Sequence, residues 1–327
     1  MRAATYERTG DARDVLQIVD LPRPEPAAGE VRVRLEWSGV NPSDVKTRAA
    51  TRTKVLAFPR ITPHSDGGGV IDAVGTGIDP GRVGERVWIW NGAWGRPNGT
   101  AAEFITVPAA QAVRLPTNVG TDVGACLGIP ALTALHAVTV DGGIAGKSVL
   151  IAGGAGAVGH YAIQFARLHG AASILTTVSS AQKAAIASQA GADTVINYKT
   201  EDVESRVREV TAGTGVDRVI EVNFSVNSQL DLQVLKPDAD IVAYGSDAPD
   251  FTLPFVPLIA KNVRLRFFMV YILDAATRTT LIDDLTSLLA GDRLKHNISA
   301  RLPLDRIAEA HELVESGRSN GKVVVAL

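Results

Sequence analysis

The run Gly154-Ala155-Gly156-Ala157-Val158-Gly159 carries the sharpest chemistry in this 327-residue chain. It is a G-x-G-x-x-G placed directly after the apolar stretch Val149-Leu150-Ile151-Ala152 and just ahead of a segment with helical periodicity, Val158 to His169. In that setting glycine permits a tight turn and lets backbone N–H groups approach a pyrophosphate, and the amino terminus of the following helix adds partial positive charge. Small residues at Ala157, Ala162 and Ala166 let the helix lie close to a sheet. A second strand at Ser173 to Val178 completes a unit of about 30 residues, the size of a dinucleotide-binding strand–turn–helix–strand.

A unit tuned to NADH places Asp or Glu about 20 residues beyond the turn, where it binds the ribose hydroxyls. Here no acidic residue stands between Gly142 and Ala192, and the expected position reads Val178-Ser179-Ser180-Ala181-Gln182-Lys183. Serine hydroxyls and a lysine ammonium suit a 2′-phosphate, whereas a carboxylate would repel it. The pattern predicts NADPH as cofactor.

Other reactive side chains are scattered. Trp88, Trp90 and Trp94 precede the loop Gly95-Arg96-Pro97-Asn98-Gly99 and form either a stacking surface for a flat acceptor or strand core with one exposed ring. Asp44 is a candidate general acid or a cap after Pro42, and His64 reads as a turn or surface histidine. The single cysteine, Cys126, can form neither an intrachain disulfide nor a thiolate metal cage, which points to a reducing compartment and a cytoplasmic location. The first ten residues are charged and read as mature protein. The longest apolar stretch, Ser148 to Val158, is about half a membrane span and rich in glycine. With 33 basic and 35 acidic residues the chain lacks the positive field that draws proteins to nucleic acid or anionic lipid, so a small neutral ligand is the expected partner.

The elements that must position these residues change character along the chain. The first third alternates apolar and polar residues, as in Val31 to Trp37, with short strands at 70–74, 86–90 and 103–107 punctuated by glycine and proline. From Ser148 the rhythm becomes strand, turn, helix: strands at 194–197, 218–222 and 240–244 alternate with helices, one around Val203, Val207 and Val210, another at 228–236 stopped by Pro237. Such alternation predicts parallel strands joined by right-handed crossovers, an α/β doubly wound sheet following a β-rich domain. A helix carrying Leu281, Leu285, Leu288 and Leu289 ends at Gly291, and a helix at 305–316 and a strand at 322–327 close the chain.

Gly39-Val40-Asn41-Pro42, Ser65-Asp66-Gly67-Gly68-Gly69-Val70, Gly84-Glu85-Arg86-Val87, Gly128 to Ala134, the glycine turn, Gly191-Ala192-Asp193 and Asn320-Gly321-Lys322 together span the chain. With them the sequence resembles the medium-chain dehydrogenase/reductase superfamily, and within it the zinc-free quinone oxidoreductases that include zeta-crystallin. The resemblance implies a GroES-like catalytic domain at 1–122, a Rossmann domain at 123–263, and a dimer-interface strand with a return to the catalytic domain at 264–327. Zinc-dependent members carry cysteine, histidine and glutamate where Asn41, Ser65 and Asp66 stand, so no metal is expected. Without a Lewis acid, alcohol oxidation gives way to reduction of an acceptor that is already electrophilic, a quinone or an activated C=C bond.

Carried over residue by residue, the resemblance puts Ala155, Gly156, Ala157 and Val158 along the pyrophosphate and Ser179, Lys183 and Tyr198 around the adenosine phosphate. Tyr244, Gly245, Ser246 and Asp247 match the segment below the ribose and nicotinamide, and Phe268, Met269 and Val270 match the loop that meets the carboxamide. Ser225 or Asn223 is the contact after the fourth Rossmann strand. Asn41 is the expected catalytic contact, with Lys46 beside it at a position where relatives often have tyrosine. The apolar run Phe267 to Tyr271 pairs across a homodimer in relatives. The expected activity is NADPH-dependent quinone reduction, with an enoyl or alkenal reductase, or a non-catalytic NADPH- or RNA-binding protein, as alternatives.

Overall fold

The computed structural model describes residues 1–51 and 55–327, which divide into two compact units, Met1–Pro130 with Ile282–Leu327, and Ala131–Leu281.

The second unit is built on six parallel strands: β8 (Ser148–Ile151), β9 (Ser173–Val178), β10 (Thr194–Asn197), β11 (Val216–Glu221), β12 (Leu235–Ala243) and β13 (Arg264–Phe267). Their order is β10-β9-β8-β11-β12-β13, so the chain winds outward from β8 in one direction and then returns to wind the other way from β11. That reversal opens a crevice at the carboxyl ends of β8 and β11, where open α/β sheets bind ligands. The strands carry short apolar runs such as Val149–Ile151, Ile174–Leu175 and Val219–Ile220, the character of parallel strands buried on both faces. Leu150, Leu175, Ile196, Val219 and Ile241 form the centre of one core layer with Val203, Val207 and Phe224 from the helices.

One boundary differs from the sequence reading. The helix expected at 228–236 spans Phe224–Val234, and Leu235 is already extended, paired with Val216 at the start of β12. Pro237 therefore sits inside an irregular strand, beside a register shift between β11 and β12, and stops no helix. Tertiary pairing outweighed the local helix signal.

The first unit holds β1 (Arg2–Thr5) paired with β2 (Gln17–Asp20), and a seven-stranded sheet. Its strands are β3 (Glu30–Val40), β4 (Asp66–Val74), β5 (Arg86–Ile89), β6 (Phe104–Pro108), β7 (Ala112–Arg114), β14 (Ile298–Pro303) and β15 (Lys322–Ala326). Strand β15 adds antiparallel to β3, with Val323 opposite Val40, so a strand from the far end of the chain completes the sheet that β3 begins. Val31, Val33, Leu35, Ile71, Val87, Ile89, Ile105 and Val107 fill the core, the inward halves of the alternating strands.

Candidate functional site

In the Rossmann unit the glycine turn does what its spacing demands. A Cβ on Gly154 would lie 2.1 Å from Thr176 Oγ1, and one on Gly159 would lie 2.3 Å from the Gly153 carbonyl oxygen, so both are required for the helix Ala157–Leu168 to pack against the strands. Gly156, at the helix amino cap, has only the Gly153 carbonyl oxygen nearby, at 3.2 Å, and is exposed. A ligand can approach there. The first-turn N–H groups of this twelve-residue helix have no intrahelical partner, which leaves Ala157 and Val158 as donors to an anion. Ala155 is 2% exposed and contributes backbone only.

Ser179 and Ser180 follow the end of β9, and Ser180 Oγ caps the helix Ala181–Ala190 by accepting from Lys183 N at 3.2 Å. Tyr198 N donates to Val178 O at 3.1 Å, and its ring is 54% exposed. The structure thus gathers Ser179, Lys183 and Tyr198 at the carboxyl ends of β9 and β10, with no carboxylate at the end of β9. Beyond β11, Asn223 Nδ2 donates to Asp247 at 2.7 Å, Asp247 N donates to Asn223 Oδ1 at 3.0 Å, and Ala248 N donates to Ser225 Oγ at 3.2 Å. Asn223 and Ser225, alternatives in the sequence, are parts of one network. A Cβ on Gly245 would come 2.2 Å from Val222 O, so only glycine lets Tyr244 to Asp247 lie this close to the end of β11. Phe268 packs edge-on against His136 and donates its N–H to Ala243 O, and Met269 is 41% exposed. Val270 is buried and its carbonyl accepts from Arg278. Every cofactor position expected on this unit therefore lies at the carboxyl end of the sheet.

In the GroES-like unit, Asn41 precedes the short helix Pro42–Arg48 and is 2% exposed. Its backbone N–H donates to Asp44 Oδ2 at 2.8 Å, which makes Asp44 a helix cap; burial pushes that carboxyl up to about 7 against the restraint of this bond and of the Lys322 charge. The Asn41 amide nitrogen donates to Asp66 Oδ2 at 2.9 Å, and Lys322 Nζ donates to Asn41 Oδ1 at 2.5 Å and to Asp66 Oδ2 at 2.7 Å. Lys46 is half-buried on the same helix. Lys322, which the sequence offered only within the Asn320-Gly321-Lys322 match, is the residue whose role reading the sequence missed; it stands 281 positions from Asn41.

His64 is a correction. It is fully buried with φ +78°, its Nδ1 bonded to Ser38 Oγ at 2.7 Å and its Nε2 to His311 Nε2 at 2.9 Å, rather than at a surface. Burial first, and neighbouring positive charge second, hold both imidazoles below their ordinary range, His311 at about 3. The unfolded chain thus binds protons that the folded chain refuses, and the stability from the neutral pair is complete above about pH 6.5 and lost as pH falls. Unfolding free energies from urea titrations at pH 7 and pH 5 are expected to separate, by about 1.4 kcal/mol per pH unit per histidine at most. The separation should shrink in His311→Gln; equal separations in both proteins would refute the pair's role.

Of the tryptophans, Trp88 is core, Trp90 donates its ring N–H to Ala110 O, and Trp94 is 45% exposed, which matches strand packing with one exposed ring. Cys126 is buried, its thiol pushed up to about 12. Among the described residues no helix is long and apolar enough to cross a membrane.

Together the two units define an oxidoreductase with a GroES-like unit and a Rossmann unit. Residues 27–117 match the alcohol dehydrogenase GroES-like domain and residues 157–287 match the zinc-binding dehydrogenase family. Human quinone oxidoreductase is 30% identical over 100% of this chain and 98% of its own. A mycobacterial protein, Rv1454c, solved with NADPH, is 30% identical with a TM-score of 0.87, and an NAD-dependent alcohol dehydrogenase is 28% identical with a TM-score of 0.89, each covering both chains in full. The chain belongs to the zinc-free quinone oxidoreductase family of the medium-chain dehydrogenase/reductase superfamily.

The name of the second family model raises the question of zinc, and the residues here do not fit it. The three positions that would supply ligands are Asn41, Ser65 and Asp66; an amide and a hydroxyl are poor zinc donors, and the Lys322 ammonium already bridges two of the three. No cluster of three His, Cys, Asp or Glu suited to a metal occurs among the described residues.

Proposed function

We propose that this chain is an NADPH-dependent quinone reductase that works without a metal. The observation that carries the reading is the pairing of two features: a strand end with serine and lysine and no carboxylate, and a lysine ammonium seated between the would-be metal ligands. Bound NADPH supplies a hydride from its dihydronicotinamide. The Ala157 and Val158 N–H groups and the helix dipole hold the pyrophosphate, Ser179 and Lys183 hold the 2′-phosphate beside the Tyr198 ring, and Tyr244 to Asp247 with Phe268 to Val270 line the ribose and carboxamide. Ser225 steadies Asp247 and Ala248 through the Asn223 network. Asn41 and Lys46 serve the reacting end. A quinone is electrophilic enough to need only alignment and exclusion of water from these residues, and it takes its proton from solvent.

Steady-state kinetics with NADPH test this. The kcat/KM for 1,4-benzoquinone or 9,10-phenanthrenequinone is expected to exceed that for crotonyl-CoA or an alkenal by at least about tenfold. The reverse order would replace the reading with C=C bond reduction.

The reading includes a homodimer. The outer edge of β13 is open in the described sheet, and Phe255, Val256 and Ile259 on the helix Phe255–Ala260 that precedes it and Phe267 at its end are 50–71% exposed, apolar surface that favours pairing with a second copy. Light scattering at micromolar concentration should give twice the chain mass; a monomer would count against it.

A further inference from the structure

Lys322 opens β15 with 3% of its surface exposed. Its stem passes over Gly39 of β3, where a Cβ would lie 2.8 Å from Lys322 Cε and 2.0 Å from the Ala125 carbonyl oxygen, so glycine at that position gives the lysine its path. The ammonium ends in a closed triangle: it donates to Asn41 Oδ1 and to Asp66 Oδ2, and the Asn41 amide nitrogen donates to the same Asp66 oxygen. All three side chains are buried, Asp66 completely.

The triangle has one allowed arrangement of the amide. Turning Asn41 over would set its NH2 against the ammonium and its oxygen against the carboxylate, replacing two charge-assisted hydrogen bonds by two repulsions in a buried site. A pair needed only for stability is commonly replaceable by neutral groups of similar shape, so bulk packing does not require this buried charge.

We propose that Lys322, neutralised by Asp66, is a positioning residue that locks the Asn41 amide in a single orientation for the transfer step. The inference rests on the proposed reduction of quinones with Asn41 at the reacting end.

A double-mutant cycle tests it. The variants are Asn41→Ala, the neutral pair Lys322→Met with Asp66→Asn, and all three changes together. Thermal melts verify folding, and should the neutral pair not fold, Lys322→Leu with Asp66→Asn replaces it, which likewise removes the donor to Asn41 Oδ1. The neutral pair is expected to lower kcat at least about tenfold with KM for NADPH within about threefold, because the phosphate-binding end is untouched. In the Asn41→Ala background the same changes should cost less than about twofold, since the lysine acts through the asparagine. A neutral pair with wild-type kcat, or losses that multiply in the triple variant, would overturn the proposal.

A second measurement is independent of turnover. The Asn41 side-chain NH2 protons, identified in ¹⁵N spectra by their loss in Asn41→Ala, should exchange with solvent slowly in wild type and faster in the neutral pair; equal rates would also overturn the lock. Wild-type protein inert with every quinone would sink the proposed function, and the exchange comparison would still decide the lock.

Discussion

Ser179→Asp is expected to lower kcat/KM for NADPH by about 100-fold, while that for NADH holds or rises. The substitution puts a carboxylate at the end of β9, at the strand terminus where an acidic side chain accepts hydrogen bonds from unmodified ribose hydroxyls. Two like charges about 4 Å apart repel by several kcal/mol at the effective dielectric of a partly solvated site, and screening by salt leaves the roughly 2.7 kcal/mol that a 100-fold change represents. Lys183→Ala should act in the same direction with about tenfold effect, the loss of one partly exposed cation. Measuring kcat/KM for both coenzymes in the three proteins checks the series. The similarity to an NAD-dependent alcohol dehydrogenase makes this informative, because an unchanged NADPH:NADH ratio in Ser179→Asp would locate coenzyme choice elsewhere on the sheet.

Arg218→Met is expected to destabilise the Rossmann unit by about 3–5 kcal/mol, lowering its melting temperature by on the order of 10 °C. Arg218, in β11, is fully buried and makes a two-pronged contact with Asp240 of β12, with Nη2 to Oδ2 at 3.1 Å. Its remaining nitrogen donates to the carbonyls of Ala137 and Val140 at 3.1 Å each, at the carboxyl end of the helix Leu132–Thr139. One guanidinium therefore satisfies a buried carboxylate and the loose end of a helix. Methionine fills the volume but leaves Asp240 with only the exposed Arg264, at 3.3 Å. Adding Asp240→Leu should restore most of the loss, because the cost lies in an uncompensated buried charge rather than in missing attraction. A single variant as stable as wild type would contradict this account.

Elements and chemistry separated cleanly by range. Ser173–Val178 and Thr194–Asn197 fall where alternation and β-branched content put them, and the glycine turn was legible because its geometric demands are local: a tight turn, a helix start, a close approach. The absence of any acid from Gly142 to Ala192 was equally plain, since a missing charge needs no partner to be read. The reverse held for buried polar groups. Lys322 with Asn41 and with Asp66, His64 with His311, and Arg218 with Asp240 join residues 281, 256, 247 and 22 positions apart, and none of the seven announces its partner.

The physical reason is the range of the forces involved. Backbone dihedral preferences and the solubility pattern of successive side chains act within a few residues, so the order of strands and helices, the pyrophosphate turn and the character of the strand end after β9 were determined by sequence alone. A charge stripped of water must find an opposite charge or a donor wherever the fold brings one, and only the closing of β15 on β3 and of β12 on β11 decided which lysine or arginine that was.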